Sequence, residues 1–271
     1  MDSVIATIHH CRQRGERPLS VVDLIEKELI SLNQAAWMVS RIEAGSSWLV
    51  GAIPGHAGKT TLMSALLVFL EDHQEVTVTR AGLAWETFSH SSFLVTEEIS
   101  DHGRPGYLWG SDVRGLTALP ARGGRIAATI HAVTLDQVRE QIAEACGAGE
   151  PGMAAFQIFI PITVEFAPES EDQAPSAAGG HRRRRTVSSR AVELIHYHDG
   201  KGWQTIDRNV ELTGRENSIA DFLRSCGESG IHTCEALREA WIARLGSSRN
   251  GQSFLSPNNE KGLRRFAKLT S

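Results

Sequence analysis

At 271 residues, the chain has room for one large domain or two small ones, since domains commonly run to about 100–200 residues. Its 41% apolar and 22% charged residues exclude a chain disordered throughout and any fibrous or collagen-like repeat. With 28 Lys and Arg against 32 Asp and Glu, a formal net charge of −4, no global positive field exists to hold a nucleic-acid backbone, so nucleic acid is not an expected partner.

Four cysteines, Cys11, Cys146, Cys226 and Cys234, are too few and too scattered for a disulfide framework and form no C-x-x-C pair. Reduced thiols are expected. The N-terminal stretch has no basic segment followed by an apolar one, and no apolar run approaches the ~20 residues needed to span a bilayer. A soluble, cytoplasmic protein without a membrane span is the expectation.

Helical signals begin after Pro18. Ser20 with Asp23, and Ser31 with Gln34, are capping pairs ahead of the apolar stripes Val21, Leu24, Ile25, Leu29 and Ala35, Met38, Val39, Ile42, with Gly45 as a stop. Strand and helix signals then alternate, which predicts a mostly parallel sheet covered on both faces. Residues 47–53, 75–79, 93–97, 125–130 and 156–166 read as strands, and Pro161 argues for a bend or an edge in the last. Between them, helices are predicted over 60–70, around Leu108, Val113, Leu116 and Leu119, and after the Thr134–Gln137 cap. Residues 167–185 mix acids, Pro, Gly and Ser and end in Arg182–Arg185, the composition of a solvated loop. Strand-like segments around Gly200-Lys201-Gly202 predict an antiparallel hairpin. Helices are then expected from Ser218, Thr233 and Ser256-Pro257, with Leu237, Trp241, Leu245 and Phe266 inward. The expected organisation is a helical lead-in (1–45), a core with a β-hairpin extension (46–210) and a small helical C-terminal subdomain (211–271).

Chemistry concentrates in IPGHAGKTTL, between a predicted strand and a predicted helix. Binding a phosphate chain requires inward backbone N–H groups at a helix N-terminus, an ammonium, and a hydroxyl for Mg²⁺. Pro54, Gly55, His56, Ala57 and Gly58 supply the turn, Lys59 the ammonium, and Thr60 and Thr61 the hydroxyls, Thr60 being the candidate metal ligand. The first glycine of the strict G-x-x-x-x-G-K-[ST] pattern is Ile53 here. A second element, FLVTEE, ends a strand in Glu97 and Glu98; one carboxylate would orient or deprotonate water and the other aid the metal. Alternation along a strand predicts that only one faces the nucleotide. A third, RIAATIHA, places His131 at a strand end, where it could sense the terminal phosphate. His196 and His198 share a strand face without an evident third ligand, and His232 with Cys226 and Cys234 is equally thin, so no metal site is expected there.

Together, IPGHAGKTTLMSALL, FLVTEEISD and VRGLTALPARGGRIAATIHAVTLDQVREQI resemble the type II/type IV secretion ATPase superfamily, which includes pilus motors. The resemblance covers about residues 47–142, roughly a third of the chain. It implies an α/β P-loop NTPase of the additional-strand, RecA-like type, binding ATP and Mg²⁺, with Lys59 and Thr60 as nucleotide and metal residues, Glu98 as catalytic glutamate and His131 as the His-box histidine. It also implies a homo-oligomer or a larger secretion or pilus-type assembly. Only about 45 residues precede the first strand, where family members carry a separate N-terminal domain, so a slow ATPase or nucleotide switch is expected rather than a full motor. The alternative is a non-hydrolysing nucleotide-binding adaptor. No N-K-x-D motif occurs, which disfavours a GTPase.

Overall fold

In the computed structural model the described residues are 2–11, 17–53, 55–166 and 187–249. Pro54, Arg182–Arg185 and the helix expected from Ser256-Pro257 with Phe266 lie outside them.

Local capping chemistry sets the lead-in. Helix α1 spans Ser3–His10, α2 Val21–Glu26 and α3 Leu32–Glu43, and both expected capping boxes form: Ser20 with Asp23, and Ser31 with Gln34. Gly45 follows α3 at φ 94°, a conformation that favours glycine. Helix α1 was not expected. Its run Val4-Ile5-Ala6-Thr7-Ile8 is rich in β-branched residues that favour strands, and burial of Val4, Ile5 and Ile8 overrides that preference.

The sheet contains β1 (Trp48–Ala52), β2 (Val76–Val78), β3 (Phe93–Ile99), β4 (Tyr107–Leu108), β5 (Arg125–Ile130), β6 (Ile158–Phe166), β7 (Val187–Ala191), β8 (Leu194–His198) and β9 (Trp203–Asp207). Its main order is β2-β3-β5-β1-β6-β8-β9, with β4 on β3 and β7 on β6. The pairs among β2, β3, β5, β1 and β6 are all parallel, whereas β7, β8 and β9 pair antiparallel. The protein is therefore α/β with a mostly parallel mixed sheet. Strand β5 lies between β1 and β3. Pro161 sits in neither an edge strand nor a ladder that needs its missing N–H. It pairs with Gly51 on one side, at a point on the other where β6 has left β8 and not yet met β7.

Among the helices, α4 (Lys59–Leu66) follows β1 and continues as a 3₁₀ turn, Leu67–Phe69. Helix α5 spans Ser111–Thr117, α6 Leu135–Val138 and α7 Gly149–Ala154. Two expectations are corrected here. Leu108 belongs to β4 rather than a helix, because Gly110 at φ 56° breaks the chain before α5 begins. After α6 the helix widens into a π-helix over Arg139–Ala145, which periodicity alone does not reveal.

Helices α8 (Gly214–Glu228) and α9 (Cys234–Arg249) close the described chain. The first starts four residues before Ser218 because Glu216 reaches back to the Thr213 N–H at 2.9 Å. One continuous apolar cluster joins α1–α4, α8 and α9 to one sheet face, while α5–α7 cover the other. Buried Arg238 of α9 donates to Val68 O, Leu70 O and Glu71 O, and Trp241 Nε1 donates to Phe69 O at 3.1 Å. These bonds satisfy carbonyls of the 3₁₀ continuation of α4 and of the two residues after it, anchoring the far end of the helix that carries Lys59 at its start. Among the described residues no helix is long and apolar enough to cross a membrane.

Candidate functional site

The turn between β1 and α4 uses two left-handed residues, His56 at φ 66° and Gly58 at φ 100°. Gly58 is the α4 N-cap, and the loop delivers Lys59 as the first helical residue. Ala57 is buried and Gly55 and His56 are exposed, with Thr60 and Thr61 half-buried on the first turn. Ile53, at the position of the missing glycine, is 48% exposed.

Three of the expected side chains converge. Lys59 Nζ lies 3.4 Å from Glu98 Oε2 and 3.5 Å from His131 Nδ1, and His131 Nε2 lies 3.8 Å from Glu98 Oε1. Burial pushes Lys59 below its ordinary pKa, opposed by the Glu98 carboxylate. Burial also pushes His131 below its ordinary value; Glu98 opposes this, while the Lys59 ammonium adds to it. Glu98 Oε1 is buried without a hydrogen-bond partner, the kind of acceptor that an added donor would satisfy.

Glu97 is not brought to this group. Its carboxylate pairs with His10 at 3.5 Å and packs under Gly106, and it adds to the burial that raises the Cys11 thiol to about 12. The cause is a bulge: β3 pairs Thr96 with Ala128 but Ile99 with Ile130, so one extra residue is accommodated at Glu97-Glu98. A bulge re-aims side chains, and Glu98 alone reaches the loop.

The turn carrying His131 is held from two directions. Gln141, on the π-helix, donates to His131 O at 2.9 Å, and Val133 N donates to Gln137 Oε1 at 2.7 Å. Beneath it, Gly51 of β1 has no room for a side chain: a Cβ there would stand 2.1 Å from Ala132 O and 2.7 Å from the Phe159 ring. Gly51 and Gln141 were missed by sequence reasoning. Gly51 was legible only as a glycine inside a strand, a signal of close backbone approach, and Gln141 gave no signal at all.

The weaker candidates fall elsewhere. His196 meets Thr205 and stacks on Phe159, while His198 accepts from Gly200 N. Asp23, Glu26 and His232 come together, but Asp23 is engaged by the Arg17 guanidinium and Ser20 N. No protein-family model matches the chain, and no curated protein matches it.

Proposed function

We propose that the chain is an ATP-binding P-loop ATPase of the additional-strand type, related to the secretion and pilus motor ATPases and working as a slow hydrolase or nucleotide switch. The observation that carries this reading is the convergence of Lys59, Glu98 and His131 from α4, β3 and β5, around a buried carboxylate oxygen with no partner. Two features support it. One strand, β5, is inserted between the loop-bearing and glutamate-bearing strands. The group also lies where the C-terminal ends of parallel strands meet a helix N-terminus, the usual ligand position in open α/β sheets.

In this reading the loop N–H groups and Lys59 hold the phosphate chain. Glu98 takes a proton from water as its oxygen bonds to the terminal phosphorus, the bond to ADP oxygen breaks, and phosphate leaves. His131, kept toward its neutral form by burial, hydrogen-bonds the terminal phosphate or the water. The donor set fits Mg²⁺: Thr60 would hold it, and the ion would offset the developing charge on the phosphates. Glu97 has no metal role here, since it faces His10.

The adaptor reading has one observation behind it, the Lys59–Glu98 contact, which occupies the base. Mg-ATP binding and hydrolysis by wild type, Lys59→Ala and Glu98→Gln separate the two, with folding of each checked by circular dichroism. The ATPase reading expects binding lost in Lys59→Ala, and binding kept but turnover lost in Glu98→Gln. Wild type that binds ATP yet hydrolyses no faster than Glu98→Gln establishes the adaptor instead. Light scattering with and without nucleotide tests the proposed homo-oligomer; a strict monomer in saturating ATP counts against it.

A further inference from the structure

Within the buried run of β5, Ile126–Ile130, Thr129 is the one polar side chain, and it is wholly shielded from solvent. A hydroxyl in the middle of a central strand costs stability unless it is bonded. Its partner is the backbone of β3, where Thr129 Oγ1 donates to Glu97 O at 2.5 Å. Glu97 is the residue at which β3 loses register with both neighbours. On one edge β2 pairs as far as Val95 and β4 takes over from Glu98. On the other edge Thr96 pairs with Ala128 and Ile99 with Ile130, so Glu97 and Glu98 together stand opposite Thr129 alone. Among the described residues, Glu97 is the only position of β3 with no register partner on either edge.

The bulge also reverses the alternation of the strand. Phe93 and Val95 pack in the cluster on the α1–α4 side, whereas Ile99, an even number of residues further on, packs in the cluster under α5–α7. The extra residue at this one place leaves Glu97 with His10 and sends Glu98 to Lys59. A register shift of one residue changes the face to which every affected side chain points. The bond from Thr129 to the carbonyl inside the bulge therefore bears directly on where the Glu98 carboxylate goes.

Resting on the ATP reading above for its catalytic meaning, we propose that Thr129 is a positioning residue, whose hydroxyl holds the Glu97 carbonyl and so fixes the bulge in the form that aims Glu98 at Lys59. Thr129→Val keeps the shape and branching of the side chain but removes the donor, and Thr129→Ser keeps the donor. The first readout needs no nucleotide: the shift in urea midpoint caused by Glu98→Gln, measured in the wild-type, Thr129→Val and Thr129→Ser backgrounds. That shift should fall to about half or less in Thr129→Val, where Glu98 no longer faces Lys59, and return in Thr129→Ser. A hydroxyl that merely stabilises the sheet lowers the midpoints but leaves the shift equal in all three backgrounds, which overturns the proposal. The second readout is kinetic: kcat reduced about tenfold in Thr129→Val, Mg-ATP affinity by titration calorimetry within about twofold, and kcat recovered in Thr129→Ser. Equal losses of kcat and affinity overturn the positioning role. Where Thr129→Val does not fold, Thr129→Ala takes its place; if neither folds while Thr129→Ser does, the hydroxyl serves the fold as a whole and the proposal fails. Folded wild type that binds no nucleotide overturns the ATP reading, and the urea comparison then decides the role of Thr129 by itself.

Discussion

Glu98 Oε2 stands 3.4 Å from Lys59 Nζ, with 8% of one side chain and 6% of the other exposed. Charges this deep depend on each other, because removing one leaves its partner desolvated and uncompensated. Lys59→Met and Glu98→Gln are each expected to lower stability by about 3 kcal/mol. The double substitution should cost clearly less than the two single losses together, a coupling that urea denaturation of the four proteins measures.

Burial holds the His131 pKa below its ordinary value of 6.5, so the unfolded chain binds a proton that the folded protein refuses. Between the ordinary value and the depressed one, stability falls as pH falls; above 6.5 both states are neutral and the penalty is absent. His131→Gln removes this proton linkage. Melting temperatures from pH 8 to pH 5 should therefore decline less in His131→Gln than in wild type, and equal declines would remove His131 as the cause.

Gly51→Ala is the substitution expected to be least tolerated near the site. A methyl group 2.1 Å from Ala132 O forces β1 and the His131 turn apart, and overpacking of this kind costs on the order of 1–3 kcal/mol or more. Chemical denaturation should register that loss. On the proposed ATPase reading, turnover should fall further than stability predicts, because the displaced element carries His131.

Gln141→Leu deletes the bond to His131 O without touching the loop. On the proposed ATPase reading its expected signature is a kcat reduced about tenfold with Mg-ATP affinity unchanged, since misplacing a group at the reacting centre affects rate before ground-state binding. A fall in affinity equal to the fall in kcat would instead point to collapse of the loop.

Helix α9 reaches the site from the far end of α4. Arg238→Met leaves the carbonyls of Val68, Leu70 and Glu71 without their guanidinium donor, a loss of about 2–3 kcal/mol. Thermal unfolding checks it, and a variant as stable as wild type would show that water replaces the guanidinium.

Much of the fold was legible because its signals are local. The Ser20–Asp23 and Ser31–Gln34 boxes, the strand over Arg125–Ile130 and the Gly58-Lys59 turn each follow from residues within a few positions of one another. Helix α1 escaped because its β-branched residues favour strand until they are buried. The π-helix escaped because one extra residue per turn leaves little trace in apolar spacing. At the site, Lys59, Glu98 and His131 could be nominated from residue type and context, whereas Gln141 carries no such mark.

The sequence alone determined that this protein alternates strands and helices, that one glycine-containing strand–helix turn carries a lysine, and that carboxylates and a histidine end two later strands. Tertiary structure decided which glutamate meets Lys59. A bulge whose existence depends on pairing between β3 and β5 sends Glu98 toward Lys59 and leaves Glu97 with His10. The same pairing puts β5 beside β1, and only the missing side chain of Gly51 lets the His131 turn settle there. Turns and caps are energies of neighbouring residues, but strand order, bulges and the direction of a side chain at a bulge are set by contacts between residues far apart in the chain.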